Sequence, residues 1–316
     1  MKTGIHQLSA EDYHADSTGD VPSLSCSIAK ILINQSPAHA WIAHPRLNPA
    51  YQDQESASRM DIGTASHALL LEGKDSVVVC DFDDWRKKEA QVMRDEARAA
   101  GKIPLLAGQY ADVQAMASIA QHDARHAGFN MAAGKAEQTV IWQEGDTRIR
   151  TRPDWLSDDR KLILDYKTTA LPNPGAWMRA IPGNGYDVQD ALYRRGVAAI
   201  TGIEPEFVFM VQETTAPYPV YFVSLSAAYR EIGHQKVEKA LFMWQNCMKT
   251  GKWESYPQAV MEAEAPRWAL AEAEEMAAER ENGGESAEAF DRMMFAGVSK
   301  EAFMFGKVAP KERFQK

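Results

Sequence analysis

"RPDWLSDDRKLILDYKTT", residues 152–169, is the stretch on which the fold turns. It carries an acid at Asp154, a turn-like run, a second acid at Asp165 and, two positions later, Lys167. Side chains of a strand alternate between faces. Ile163, Asp165 and Lys167 therefore share one face, and Leu162, Leu164 and Tyr166 the other. Asp and Lys are costly on a buried face unless they are paired or bound to metal. A hairpin through residues 157–160 would set Asp154 beside Asp165. Two carboxylates that close repel each other unless a cation lies between them, and oxygen ligands favour Mg²⁺ or Mn²⁺. An adjacent lysine can then hold or activate the water that attacks a phosphate. Asp-x-Lys alone is a weak signal, since surface strands often carry it as a salt bridge.

Working outward, residues 24–34 (LSCSIAKILIN) read as a short helix with Ser25 or Ser27 as its cap. Residues 61–72 read as a helix with Ile62, Ala65, Leu69 and Leu70 on a shared face. Helices are also expected over 83–100 and 108–127, separated by "GKIPLLAG". "EQTVIWQ", "TRIRTRPDWL" and "KLILDYKTT" are β-rich runs divided by the turn sequences "EGD" and "SDDR", a pattern that predicts an antiparallel meander. A loop rich in Pro and Gly, a helix at 187–200, the strands "EFVFMVQE" and "VYFVSLS" and a long helix near 226–250 complete one α/β domain to residue 258. Residues 259–316 form an acidic extension rich in Ala, Glu and Met. It is expected as a helix broken at Gly283-Gly284, or as a partly disordered tail.

The 316 residues are 45% hydrophobic and 25% charged, an ordinary globular balance. No apolar run reaches the ~20 residues that span a bilayer, and "MKTGIHQLSAEDYH" lacks the apolar stretch of a signal peptide. Three widely spaced cysteines (Cys26, Cys80, Cys247) suit a reducing cytoplasm better than a disulfide framework. The net charge of −9 at first argues against a nucleic-acid partner. Residues 262–291, however, hold ten acids against two arginines, so the rest of the chain is nearly neutral and has room for a basic groove.

Taken together, these residues resemble the PD-(D/E)xK nuclease core, with Pro153-Asp154, ten intervening residues, then Asp165-Tyr166-Lys167. "GTASHALL" is similar to the Gly-xxx-His element (Gly63, His67) of RecB-type nucleases, and "QDALY" to their Gln-xxx-Tyr element (Gln189, Tyr193). The elements occur in the family's order over about residues 24–225. "LSCSIAKILINQSPAHAW" and "EQTVIW…RPDWL" are most similar to nuclease domains of the exodeoxyribonuclease VIII (RecE) type. The resemblance implies an α/β, restriction-endonuclease-like fold, a mixed central sheet with an antiparallel meander flanked by helices. It implies a Mg²⁺-dependent exonuclease that digests linear double-stranded DNA 5′→3′ and leaves 3′ strands. A ring-shaped homo-oligomer and a single-strand annealing partner of the RecT kind belong to the same expectation.

It also assigns roles. His67, Asp154, Asp165 and the Tyr166 carbonyl would hold metal, and Lys167 would orient or activate water. Gln189 and Tyr193, i and i+4 on one helix face, would position phosphate or active-site groups, although plain packing against the sheet also explains them. His67 could be a core histidine, and Glu137, whose family counterpart lies near the site, could be a solvent-facing strand end. Arg150 and Arg152 are candidates for phosphate contact, or for ion pairs with the Asp158–Asp159 turn. Thr168 and Thr169 either touch phosphate or end the strand. Some RecB-type relatives bind an iron–sulfur cluster through four cysteines, one of them in a Cys-Pro. Ser36-Pro37 stands there in this chain, so no cluster is expected.

Overall fold

The computed structural model describes residues 1–51, 62–71, 73, 77–171 and 173–282. The chain divides into two units, Met1–Tyr256 and Pro257–Lys316. The first begins with strand β1 (Gly4–Gln7), helix α1 (Ala10–His14) and the two-residue strand β2 (Leu24–Ser25). Helices α2 (Cys26–Asn34) and α3 (Pro37–Ala43) are each started by a serine, Ser25 accepting from Ile28 N and Ser36 from His39 N. Such caps satisfy amides that a first helical turn leaves unpaired. Helix α4 (Ile62–Leu71), strand β3 (Val77–Cys80), helix α5 (Lys88–Ala99), strand β4 (Ile103–Leu106) and helix α6 (Ala107–His126) come next. Five strands follow: β5 (Gly134–Ala136), β6 (Gln138–Glu144), β7 (Thr147–Thr151), β8 (Trp155–Ser157) and β9 (Leu162–Thr169). Helices α7 (Pro174–Arg179), α8 (Ile181–Asn184) and α9 (Tyr186–Thr201) lead to strands β10 (Glu206–Glu213) and β11 (Val220–Val223) and to helix α10 (Ala227–Thr250). In the second unit the described residues include helix α11 (Arg267–Asn282). The expected helix break at Gly283-Gly284 lies outside the described residues.

Two short elements depart from the sequence expectation. "GKIPLLAG" does more than separate helices, because it contains β4, which pairs in parallel with β3. The Pro/Gly-rich loop holds α7 and α8.

The larger departure concerns the meander, which is split between two sheets. β6 and β7 pair antiparallel in a four-stranded sheet ordered β1-β6-β7-β2. β8 and β9 pair antiparallel in a mixed five-stranded sheet ordered β11-β10-β9-β8-β5. The chain crosses from one sheet to the other at Arg152, Pro153 and Asp154, which belong to neither strand. Proline has no amide hydrogen to give a ladder, so a strand end suits it. A second crossing lies at Glu137, between β5 and β6. Its φ of +56° is uncommon outside glycine.

β9 runs parallel to β10, Asp165 opposite Phe209. A parallel pair of this kind requires cover on both faces. One face packs Ile163, Phe207, Phe209 and Val211 with Leu32 of α2, Leu192 of α9 and Val237 of α10 in the main core. The other packs Tyr166 and Met210 against Leu70 of α4 and Ala120 and Ala124 of α6. Helices α9 and α10 meet closely at Gly233, where a Cβ would stand 2.2 Å from the Asp187 carbonyl oxygen. Asp187 is itself buried and accepts from Lys236 Nζ at 2.5 Å.

Candidate active site and metal centre

Two acids of the site, Asp154 and Glu137, sit at the two crossings between sheets. Trp155 pairs with Leu164, so Asp154 falls at the end of the β8–β9 ladder, beside Asp165 and Tyr166. No strand residue is left to accept there, and the Asp154 side chain takes that place: Oδ2 accepts the Tyr166 amide at 2.8 Å. At the other crossing the Glu137 amide donates to the Asp154 carbonyl at 3.0 Å, tying the two breaks together. Helix α4 brings His67 between the acids. Its Nε2 lies 3.1 Å from Asp154 Oδ2 and its Nδ1 3.8 Å from Glu137 Oε1. Arg152 pairs with the second Glu137 oxygen.

Among the described residues, His67, Glu137 and Asp154 offer ligand atoms that all lie within 4.8 Å of one another. Burial and two neighbouring carboxylates set the electrostatics of this cluster. Burial and the Asp154 charge raise the Glu137 pKa, against the pull of Arg152. Burial would raise Asp154 as well, but Lys167, His67 and the Tyr166 amide more than offset it and hold the group low. Burial would lower the His67 pKa, yet the two carboxylates outweigh it and raise it. Two carboxylates and one imidazole suit a hard divalent cation such as Mg²⁺ or Mn²⁺.

Asp165 stands beside this group and outside it. It is fully buried, one oxygen paired with Lys167 and the other accepting Gln189 Nε2 at 2.5 Å. Burial and the neighbouring Asp154 push its pKa up to about 6, against Lys167. The Lys167 ammonium is disfavoured by burial but held charged by Asp165 and Asp154. In this arrangement it is a hydrogen-bond donor and a fixed positive charge.

The other sequence candidates are placed as follows. Arg150 is corrected: it is 3% exposed and spent internally, on Asp16, on the carbonyls of Tyr13 and Ser23, and on Ser23 Oγ. It therefore neither contacts phosphate nor pairs with the 158–159 turn. An unpaired buried guanidinium would be very costly, and its partner Asp16 is too remote in sequence for any local pattern to reveal. Arg152 serves Glu137 instead of that turn. Tyr193 packs edge-on to Phe207 in the core, one helical turn from Gln189. Thr169 ends the strand, its Oγ1 accepting the Leu171 amide and its carbonyl the Thr214 amide. Thr168 is half-buried. Lys30 and Tyr186 also lie at the site and belong to no motif: the two ammoniums of Lys30 and Lys167 stand over the Tyr186 ring, 5.5 and 5.9 Å from its centroid. The one available signal is that Lys30 is the sole charge on helix α2.

Next to Gln189, Asp190 is fully buried with no hydrogen bond to either oxygen from any described residue, and Arg194 stands 3.8 Å away. Burial pushes its pKa up to about 6. A raised carboxylate pKa means that the folded chain holds the proton more tightly. The resulting penalty is absent below the ordinary value, grows as pH rises towards 6 and is complete above it. Asp190→Asn should therefore raise stability by about 2 kcal/mol at about pH 8 and by less at about pH 5. Urea midpoints at both pH values check this; an equal shift at both would defeat it.

Residues 25–264 match the family described as a PDDEXK-like domain of unknown function (DUF3799). The chain belongs to this family. The match spans most of the chain, the whole five-stranded sheet and every residue of the site, and leaves out β1. A candidate exonuclease from Eubacterium rectale is similar to this PDDEXK-like chain in fold, with a TM-score of 0.52 at 12% identity, over 84% of this chain and 98% of that one. Weaker likenesses are a phage-related exonuclease from Haemophilus somnus 129PT (TM-score 0.31, 9% identity, 73% of this chain and 96% of that one) and the alkaline exonuclease LHK-Exo from Laribacter hongkongensis (0.27, 13%, 59% and 90%). No curated protein matches the chain significantly. The fold is the mixed α/β, restriction-endonuclease-like one, and no helix among the described residues is long and apolar enough to cross a membrane.

Proposed function

We propose that the chain is a divalent-metal-dependent nuclease, specifically an exodeoxyribonuclease that degrades linear double-stranded DNA 5′→3′ and leaves 3′ single strands. The observation that carries the reading is the convergence of His67, Glu137 and Asp154 beside the Asp165–Lys167 pair. A metal site next to a fixed ammonium suits phosphodiester hydrolysis, because both stabilise charge that develops on the phosphate. His67, Glu137 and Asp154 would hold Mg²⁺ or Mn²⁺, with Asp165 and the Tyr166 carbonyl as further ligands. When bound, the cation supplies Lewis-acid stabilisation of charge on the phosphate and the leaving oxygen. Lys167 orients the attacking water and donates to the phosphate. Gln189 fixes Asp165, and Arg152 fixes Glu137. Strand polarity, a ring-shaped homo-oligomer and a RecT-like annealing partner enter the proposal through the sequence resemblance. Three buried free cysteines are compatible with a cytoplasmic setting.

Digestion with Mg²⁺ of end-labelled linear duplex and of covalently closed circles tests the reading. Linear duplex should lose label from its 5′ ends first, circles should persist, and a chelator should stop release. Cut circles would point to an endonuclease, and label lost first from 3′ ends would reverse the polarity. No metal-dependent release from any substrate would leave a DNA-binding scaffold.

A further inference from the structure

We propose that Lys30 and Tyr186 are positioning residues of this site, closing a ring of contacts that runs Lys30, Gln189, Asp165, Lys167, Tyr186 and back to Lys30. The inference rests on the nuclease reading and adds to it two residues outside the motifs.

Lys30 reaches the site from α2, whose neighbouring Ile28, Ala29 and Leu32 are buried in the main core. Its stem crosses Gly185, where a Cβ would stand 3.1 Å from the Lys30 Cγ and Cδ. Gly185 has a φ of +63°, which glycine adopts without strain, so one residue both turns the chain into α9 and leaves room for the lysine. The ammonium then lies 3.5 Å from Gln189 Oε1.

That contact decides the orientation of an amide. Gln189 Nε2 donates to Asp165 Oδ2, so its oxygen faces Lys30. An ammonium only donates and a carboxylate only accepts. Turning the amide over would oppose donor to donor at one end and acceptor to acceptor at the other. Lys30 thereby locks the group that holds Asp165.

Tyr186 acts on the opposite side of the ring of contacts. Trp177 stacks on it at 5.1 Å and 19°, and Phe209 packs at 5.3 Å, so the core fixes the ring. Cations are attracted to the face of an aromatic ring through its quadrupole, and the attraction grows where water is scarce. A ring that attracts both ammoniums offsets their mutual repulsion and keeps Lys167 aimed at Asp165. The hydroxyl is not needed for this; the ring is.

Steady-state digestion of linear duplex by the wild type, Tyr186→Leu, Tyr186→Phe and Lys30→Met separates the possibilities. Tyr186→Leu and Lys30→Met should each lower kcat by about tenfold with KM for DNA unchanged, and Tyr186→Phe should restore kcat to within about threefold of wild type. Lys30→Met keeps the stem over Gly185 and serves if Tyr186→Leu does not fold. A rise in KM at unchanged kcat would make Lys30 a substrate contact and overturn the positioning role. Wild-type kcat in both Tyr186→Leu and Lys30→Met, or a Tyr186→Phe as impaired as Tyr186→Leu, would also overturn it, and in each case the nuclease reading survives. A wild type without metal-dependent release removes that reading and this inference with it.

Discussion

Lys167→Ala is expected to lower DNA hydrolysis by at least about 10³-fold while the chain remains folded. The loss follows from the position of the ammonium, which pairs with a fully buried Asp165 and acts on Asp154 and His67 of the candidate ligand cluster. Lys30, the other ammonium beside the Tyr186 ring, is tied to Gln189. Breaking a buried ion pair typically costs about 3–5 kcal/mol because a charge is stranded. Asp165 escapes part of that penalty by taking a proton, as its pKa is already pushed up to about 6 and rises further once Lys167 is gone. A raised carboxylate pKa stabilises the fold towards acid. The deficit of Lys167→Ala should therefore be small below about pH 5 and widen as pH climbs through and past 6. Single-turnover hydrolysis with melting curves across that range checks both halves. Residual turnover within tenfold of wild type would remove Lys167 from the chemistry, and a deficit independent of pH would show that Asp165 does not take up the proton.

Gly233→Val should lower the stability of the Met1–Tyr256 unit by about 3 kcal/mol or more, the upper part of the range for overpacking. The obstacle is backbone: a Cβ at 233 meets the Asp187 carbonyl at 2.2 Å, which no rotamer change relieves. Helices α9 and α10 must separate, pulling Asp187 from Lys236 and shifting the helix that carries Gln189. The better helix propensity of valine recovers only about a few tenths of a kcal/mol. Urea denaturation reads the effect directly. A midpoint equal to that of the wild type would mean that the two helices are not locked at this point.

What the sequence disclosed and withheld has a physical pattern. Local signals were legible: the Ser25 cap needs only its own helix, the 157–160 turn only its hairpin, and Gln189 with Tyr193 only the helical period. Partners distant in the chain were not. The period of β9 says which residues share a face, but not that β10 lies alongside in parallel, because strands buried on both faces lack distinguishing alternation. Arg150 looked like a surface cation, since its partner Asp16 lies far upstream. Asp154, Asp165, Lys167 and His67 were found through the motif. The resemblance put Glu137 near the site, but its approach to within 4.8 Å of His67 and Asp154 depends on a left-handed residue between two sheets, which no local pattern discloses.

The crossing at residues 152–154 bears on how such a site can change. Side chains directly opposite in an unbroken antiparallel ladder are held about 4.5–5.5 Å apart at Cβ. Asp154 lies just past the last such pair, tethered by a short link and by the Tyr166 amide. Its distance from Asp165 is thus a variable of the link, free of the fixed step of the sheet. Bond lengths differ between cations, about 2.0–2.1 Å for Mg²⁺ and 2.3–2.6 Å for Ca²⁺. If the site holds a cation as proposed, a carboxylate on such a tether would accommodate that difference, and substitutions in the link would be expected to retune the preferred ion while every strand keeps its register.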